Sequence, residues 1–149
     1  MATEIKIFSI PDRSFEEIQI GDKAIFKKTM TESDITLFAG ITGCFSPIHV
    51  DEEFCKKTMF KKRLIPGLLS TALIDTTMTY VGGASNIHLS QTSKFLAPVF
   101  IGDTITLTSE VISKDPAKYR VTIKSTITNQ EEKVVLEGES VFMIPRQKG

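Results

Sequence analysis

The chain has little of several features that would place a protein in a simple functional class. It has no tryptophan, two histidines and two cysteines, and 18 basic residues balance 18 acidic ones. Without a basic excess, we do not expect a nucleic-acid-binding surface. The two cysteines, Cys44 and Cys55, show no clustered spacing with histidine. They therefore predict reduced thiols and no metal site.

Long hydrophobic runs are also missing. No stretch approaches the ~20 apolar residues that cross a bilayer, and residues 1–9 lack the features of a signal peptide. We therefore expect a cytoplasmic protein without membrane contact. The length of 149 residues fits one domain, residues 1–149, with one substantial core.

Helix signals fill the first half of the chain. Thr31 and Asp51 have the residue types that cap helix N-termini, and each precedes acidic residues. A stretch with almost no charge, from Leu68 to about Tyr80, predicts a long, mostly buried helix that ends at Gly82. Its one carboxylate, Asp75, shares a face with Leu68, Ala72 and Thr79.

Strand signals are concentrated in the second half, where apolar residues alternate with polar ones. The predicted strands are residues 24–26, 87–95, 104–112, 119–127 and 134–144. Gly138, inside the last strand, suggests a bulge or a close contact. This pattern predicts an α+β domain in which an antiparallel sheet curves around a buried helix.

A histidine at a rigid turn is the main candidate for chemistry. His49 lies two residues after Pro47 and just before the helix start at Asp51. A neutral imidazole can take or give a proton near pH 7, so His49 is a candidate acid–base group. The other histidine, His88, lies in a predicted strand and is interpreted as structural or surface.

Three stretches in the right order resemble the MaoC-like dehydratases, especially the (R)-specific enoyl-CoA hydratases with the hot-dog fold. Thr42 to Asp51 resembles the family segment Thr-Gly-Asp-x-Asn-Pro-x-His-x-Asp, and Gly67-Leu68-Leu69 resembles Gly-Met-Leu. The segment Phe-x-x-Pro-Val-x-x-Gly-Asp is intact from Phe95 to Asp103. The resemblance covers about residues 21–144 and implies a single hot-dog domain.

The resemblance also implies an activity, the addition of water to an α,β-unsaturated thioester in fatty acid metabolism. His49 would be the acid–base residue, and the Gly67 N–H would polarise the thioester carbonyl. Ser46, Leu68 and Asp75 are predicted to bind substrate. CoA or an acyl-carrier protein would carry the acyl group, and no cofactor is expected. A homodimer or higher homo-oligomer is expected, with the pocket at the interface between subunits.

Two positions depart from the family segment, since Cys44 replaces its aspartate and Ser46 its asparagine. A thiol with an unperturbed pKa of about 8.5 is mostly neutral at pH 7, so Cys44 cannot simply replace a carboxylate. Cys44 is either an inert small residue or a thiolate paired with a protonated His49. Asp75 either makes a buried hydrogen bond or faces the acyl tail of the substrate.

These departures leave three functions open. The preferred one is a hydratase or dehydratase with His49, Cys44 and Gly67 in its catalytic site. The second is a thioesterase in which Asp75 or His49 activates water against the thioester carbonyl. The third is a protein that binds acyl thioesters without catalysis. The product distinguishes the first two: a 3-hydroxyacyl thioester or a free thiol.

Overall fold

The computed structural model describes residues 1–146, in which helices precede most of the strands. The helices are α1 (Glu32–Thr42), α2 (Pro47–Val50), α3 (Glu52–Cys55), α4 (Gly67–Ala72) and α5 (Ile74–Gly82). The strands are β1 (Lys23–Thr29), β2 (Ile87–Phe95), β3 (Thr104–Asp115), β4 (Arg120–Thr128) and β5 (Val134–Met143). No helix of residues 1–146 is long and apolar enough to cross a membrane.

The strands form one antiparallel sheet in the order β1-β3-β4-β5-β2. Alternating apolar residues of β3 and β4 are buried on one face, including Leu107, Val111, Val121 and Ile123. They join a core that also contains Met78 of α5. A helix packed on one face of a five-stranded antiparallel sheet confirms the predicted α+β fold.

The central helix differs from the prediction in two ways. It is interrupted at Leu73, where the hydrogen bonds Leu73 N–H to Ser70 O (3.3 Å) and Thr76 N–H to Leu73 O (3.1 Å) span three residues. Its buried face is also different. Ile74 and Met78 are fully buried, whereas Leu68 is 67% exposed and Asp75 is exposed.

The prediction that Asp75 lies on the buried side of this helix was therefore wrong. Low charge along the helix did not identify which face meets the sheet, because the polar residues Ser70 and Thr77 are buried as well as aliphatic ones. Thr77 is 1% exposed and its hydroxyl lies 2.7 Å from the hydroxyl of Ser109 on β3. Ser109 in turn lies 2.7 Å from Ser125 on β4. These paired hydroxyls let a polar helix face pack on the sheet without an unsatisfied group.

The predicted helix caps are confirmed. The Thr31 hydroxyl accepts from the Asp34 N–H at 3.3 Å, and the Asp34 carboxylate accepts from the Thr31 N–H at 2.8 Å. This reciprocal pair is a capping box. The Asp51 carboxylate accepts from the Phe54 N–H at 2.9 Å and starts α3 in the same way.

Gly138 makes the close contact expected from its place inside a strand. A Cβ built at this residue would overlap the carbonyl oxygen of Thr92 on the neighbouring strand β2. The register between β5 and β2 runs evenly through Gly138, and its shift lies elsewhere, between His88 and Ser90. Of the two predicted alternatives, close contact is therefore the one observed.

Candidate active site

A short helix with a proline at its first position holds His49. Pro47 has a fixed φ suited to the first helical position, and the His49 N–H donates to Ser46 O at 2.9 Å. The side chain is half-buried, and its Nδ1 lies 2.8 Å from the carbonyl oxygen of Leu64. A carbonyl can only accept, so Nδ1 of the neutral ring carries the proton and Nε2 keeps its lone pair.

Backbone contacts hold Leu64 itself on two sides. Its N–H donates to Ile48 O at 3.0 Å, so residues 48–49 and 64 are joined by hydrogen bonds in both directions. Leu64 also forms an isolated β-bridge with Phe100, and the Ile65 N–H donates to Val99 O at 2.8 Å. The histidine is therefore oriented by backbone that is distant in sequence.

His49 lines a cavity of about 500 Å³ that also contains the start of α4. Its walls are mostly apolar, and they include Phe60, Leu64, Phe95, Leu96, Val99, Val135 and Leu136. Gly67 and Leu68, the first residues of α4, line the same space. Helix geometry leaves their N–H groups without intrahelical acceptors, and the helix dipole places partial positive charge there.

The intact family segment from Phe95 to Asp103 builds one wall of this cavity. Residues 95–99 line it, and the rest of the segment is a turn held by Asp103. The carboxylate of Asp103 accepts from the Phe100 N–H at 2.9 Å and from Gln130 Nε2 at 2.8 Å. Gly102 adopts a φ of +91°, which a residue without Cβ tolerates. The segment therefore has a structural role that its sequence alone did not reveal.

The structure brings together half of the residues predicted for the site. His49, Gly67 and Leu68 line the cavity. In the described part of the chain, Cys44, Ser46 and Asp75 are not among the lining residues. Asp75 lies on the exposed side of α5 and Ser46 is an exposed cap of α2.

Cys44 follows the left-handed residue Gly43 at the end of α1 and is half-buried. Its N–H donates to the Thr42 hydroxyl at 3.2 Å, and its thiol is free. Thr42 and Gly43, which match the family segment, thus shape the turn that carries Cys44. Its backbone is held in a defined place five residues before His49.

Sequence reasoning missed Ser70 in the cavity and Cys55 next to α2. Ser70 is 3% exposed and lines the cavity one helical turn after Gly67; the spacing along α4 could have identified it. Cys55 is buried beneath α2, where its thiol donates to Ile48 O at 3.3 Å. Burial raises the pKa of the Cys55 thiol. No local pattern in the sequence predicted this contact.

Comparisons with known proteins show which family and fold the chain shares. Residues 16–135 match the family described as MaoC like domain. The chain is 43% identical over 132 residues to an (R)-specific enoyl-CoA hydratase of Rhodospirillum rubrum, covering 88% of this chain and 91% of the relative. It is 36% identical to a 3-hydroxybutyryl-CoA dehydratase of Methylorubrum extorquens, covering 90% and 85%. The solved R-hydratase PhaJ1 from Pseudomonas aeruginosa superposes with a TM-score of 0.82 at 36% identity, covering 89% and 86%.

Proposed function

Because this chain belongs to the family of MaoC-like dehydratases and is an enzyme of the hydratase type, we propose that it adds water to a 2-enoyl thioester with His49 as the acid–base residue. The observation that carries this proposal is the shared cavity. A histidine with an unprotonated Nε2 and the N-terminus of α4 line the same apolar space. These are the two groups that the reaction requires.

The reaction follows from these groups. Nε2 of His49 takes a proton from water as the water oxygen forms a bond to C3 of the enoyl group. The C2–C3 π electrons shift and negative charge develops on the thioester oxygen. The N–H groups at the start of α4, including that of Gly67, stabilise this oxygen. The electron pair then returns to C2, which takes the proton from His49 and completes the 3-hydroxyacyl thioester.

CoA is the acyl carrier that we propose, because relatives at 43% and 36% identity carry CoA in their names. This reaction uses an acid–base group and a polarising donor, so the proposal includes neither metal nor redox cofactor. Both cysteines are free thiols, which supports a reducing compartment such as the cytoplasm.

The proposed assembly is a homodimer formed through β2. This strand lies at one edge of the sheet, where its outer backbone groups are open to pairing with another chain. The side chains of Ile87 and Leu89 on β2 are 47% and 42% exposed. Phe95 and Leu68 are 55% and 67% exposed and also line the cavity. A second copy on this edge would cover the apolar surface and complete the cavity wall.

The function is tested by incubating the purified protein with crotonyl-CoA while following both the enoyl absorbance and free thiol. We expect loss of enoyl absorbance without thiol release, and about a 10²- to 10⁴-fold lower rate for His49→Ala. An unchanged rate in that variant would remove His49 from the mechanism. Thiol release would instead identify a thioesterase, and binding without either product would identify a non-catalytic protein.

The dimer is tested with a charge on the proposed interface. Leu89→Arg is expected to give a monomer by light scattering and to lose turnover. The matched control is Ile25→Arg, which places the same charge at a 69% exposed position on the opposite edge strand, β1. A dimeric Leu89→Arg variant would contradict the proposed interface.

A further inference from the structure

The orientation of His49 depends on where the backbone of Leu64 lies. The Leu64 carbonyl, 2.8 Å from His49 Nδ1, selects the tautomer that leaves Nε2 free to act as a base. Leu64 follows directly on an exposed loop rich in lysine, in which Lys61 has a left-handed φ of +63°. The hydrogen bond to Ile48 and the bridge to Phe100 hold Leu64 from one side, and a contact on the loop side would complete its placement.

Arg63 makes that contact. Its side chain is 15% exposed, although both of its carboxylate partners are more than half exposed. Nη1 donates to one Glu32 oxygen at 2.8 Å and Nη2 donates to the other, so the pair is bidentate. Nε donates to Glu52 at 3.0 Å. One guanidinium thus engages two carboxylates with three of its donors, an arrangement for which its planar fork is suited.

The two carboxylates belong to the elements on either side of His49 in sequence. Glu32 is the first residue of α1, whose end leads into the turn at Cys44. Glu52 is the first residue of α3, which follows α2 and its His49. The hydrogen bonds from Arg63 lower the pKa of Glu32.

We propose that Arg63 is a positioning residue for His49, joining α1, α3 and the Leu64 carbonyl into one frame that sets the histidine tautomer. In the described part of the chain, Arg63 is not among the residues that line the cavity. Its loss therefore changes how His49 acts on bound substrate more than how tightly the apolar cavity holds the acyl group.

The kinetic arm of the test rests on the proposed function. For Arg63→Gln, kcat for crotonyl-CoA hydration is expected to fall by about 10- to 100-fold, with KM changed less than about two-fold. Arg63→Lys should recover part of the rate, since one ammonium keeps the charge but lacks the bidentate fork. Lys57→Gln is the matched control, because it removes the same charge from an exposed position of the same loop and should keep the rate of the unchanged protein.

The second arm needs no substrate. Long-range proton–nitrogen spectra of ¹⁵N-labelled protein report the tautomer of each neutral imidazole, and only His49 and His88 contribute. A His88→Gln variant assigns the two signals. We expect His49 in the Nδ1–H form in the unchanged protein and a mixture with the Nε2–H form in Arg63→Gln.

The outcomes separate this inference from the proposed function. If the unchanged protein does not hydrate crotonyl-CoA, the function fails for that substrate, while the spectra still decide the role of Arg63. An unchanged His49 tautomer in Arg63→Gln would overturn the inference. Should Arg63→Gln fail to fold, Glu52→Ala removes the carboxylate that accepts from Arg63 Nε, on a side chain that is 54% exposed. It should shift the tautomer in the same direction to a smaller extent, and no shift would equally overturn the inference.

Discussion

Replacing Gly67 by alanine would add a methyl group at the point where α4, Phe95 and the cavity meet. An added Cβ would lie 2.7 Å from Phe95 Cε1 and 2.9 Å from Cδ1. Carbon atoms in ordinary contact are about 3.5–4.0 Å apart, so the ring must move by about 1 Å. The N–H of residue 67 is retained, so this variant separates the space beside the helix start from its hydrogen-bonding capacity.

The stability of Gly67→Ala should change little. Overpacking in a tight core costs about 1–3 kcal/mol, but Phe95 lines the cavity and is not part of the buried core, so its ring can move into the cavity and the cost lies at the low end. Alanine in place of glycine stabilises a helix interior by about 0.5–1 kcal/mol, and the gain is smaller at the first helical position, which residue 67 occupies. The two effects nearly cancel, so we expect the free energy of unfolding to change by less than about 1 kcal/mol. That corresponds to a Tm shift within about 4 °C.

Catalysis should respond much more strongly. Gly67 and Phe95 both line the cavity, so the methyl group and the displaced ring intrude where the thioester carbonyl must reach the helix start. Misplacement by about 1 Å can cost about 100-fold in rate, equivalent to about 2.7 kcal/mol of transition-state stabilisation. We therefore expect kcat/KM for crotonyl-CoA to fall by about 10- to 100-fold while the fold is retained.

The assay compares three variants by enoyl absorbance and thermal unfolding. Gly40→Ala is the matched control, since Gly40 lies in α1, is exposed, and has no atom within 4 Å of an added Cβ. It should keep full activity. Adding Phe95→Ala to Gly67→Ala should restore part of the rate. Full activity in Gly67→Ala would refute the placement of the thioester at the start of α4, and no recovery in the double variant would refute the role of the ring.

Three further predictions concern the sheet, the substituted cysteine and acid stability. Gly138→Ala should lower the free energy of unfolding, measured by denaturant titration, by more than about 2 kcal/mol, because its Cβ would overlap the Thr92 carbonyl oxygen between two paired strands. A smaller decrease would mean that β2 and β5 can separate at low cost. Cys44→Asp should raise kcat, because it provides the carboxylate of the family segment. Cys44→Ala should leave kcat within about two-fold if the thiol is inert. No gain with aspartate would indicate a pocket rebuilt for other chemistry. The pKa of Glu32 is lowered by its hydrogen bond from Arg63, so its contribution to stability is present above its unfolded pKa of about 4.3 and is lost as pH falls below it. Glu32→Gln should therefore show a shallower loss of Tm between about pH 5 and pH 3; an unchanged slope would contradict the assignment.

Much of the local structure could be predicted because its cause is local. Thr31 and Asp51 were identified as helix caps from residue type and position, and both make the expected hydrogen bonds. The strand at residues 87–95 was predicted with the observed bounds, and Gly138 was identified as a position with restricted space. A cap depends on residues three apart, and an alternating strand pattern on its own side chains, so neither needs knowledge of distant contacts.

Features that depend on two distant segments were predicted incompletely. The central helix was predicted to be mostly buried with Asp75 on its apolar side, but Asp75 and Leu68 are exposed. Ile74 and Met78 are the residues of this helix that face the core. Several apolar residues on both sides of the helix were compatible with burial, and only the position of the sheet distinguishes them. The break at Leu73 likewise has no proline or glycine at that residue to predict it.

The sequence by itself determined the family of the chain and the histidine at its site. A proline-fixed turn, a helix with almost no charge and an intact loop segment occur in the order that this fold requires. The tertiary structure decided which groups act together: the Leu64 carbonyl that sets the His49 tautomer, the Phe95 ring against Gly67, and Arg63 between Glu32 and Glu52. These contacts join residues 11 to 31 positions apart, and such distances are closed by the packing of the core, which no local pattern of residues encodes.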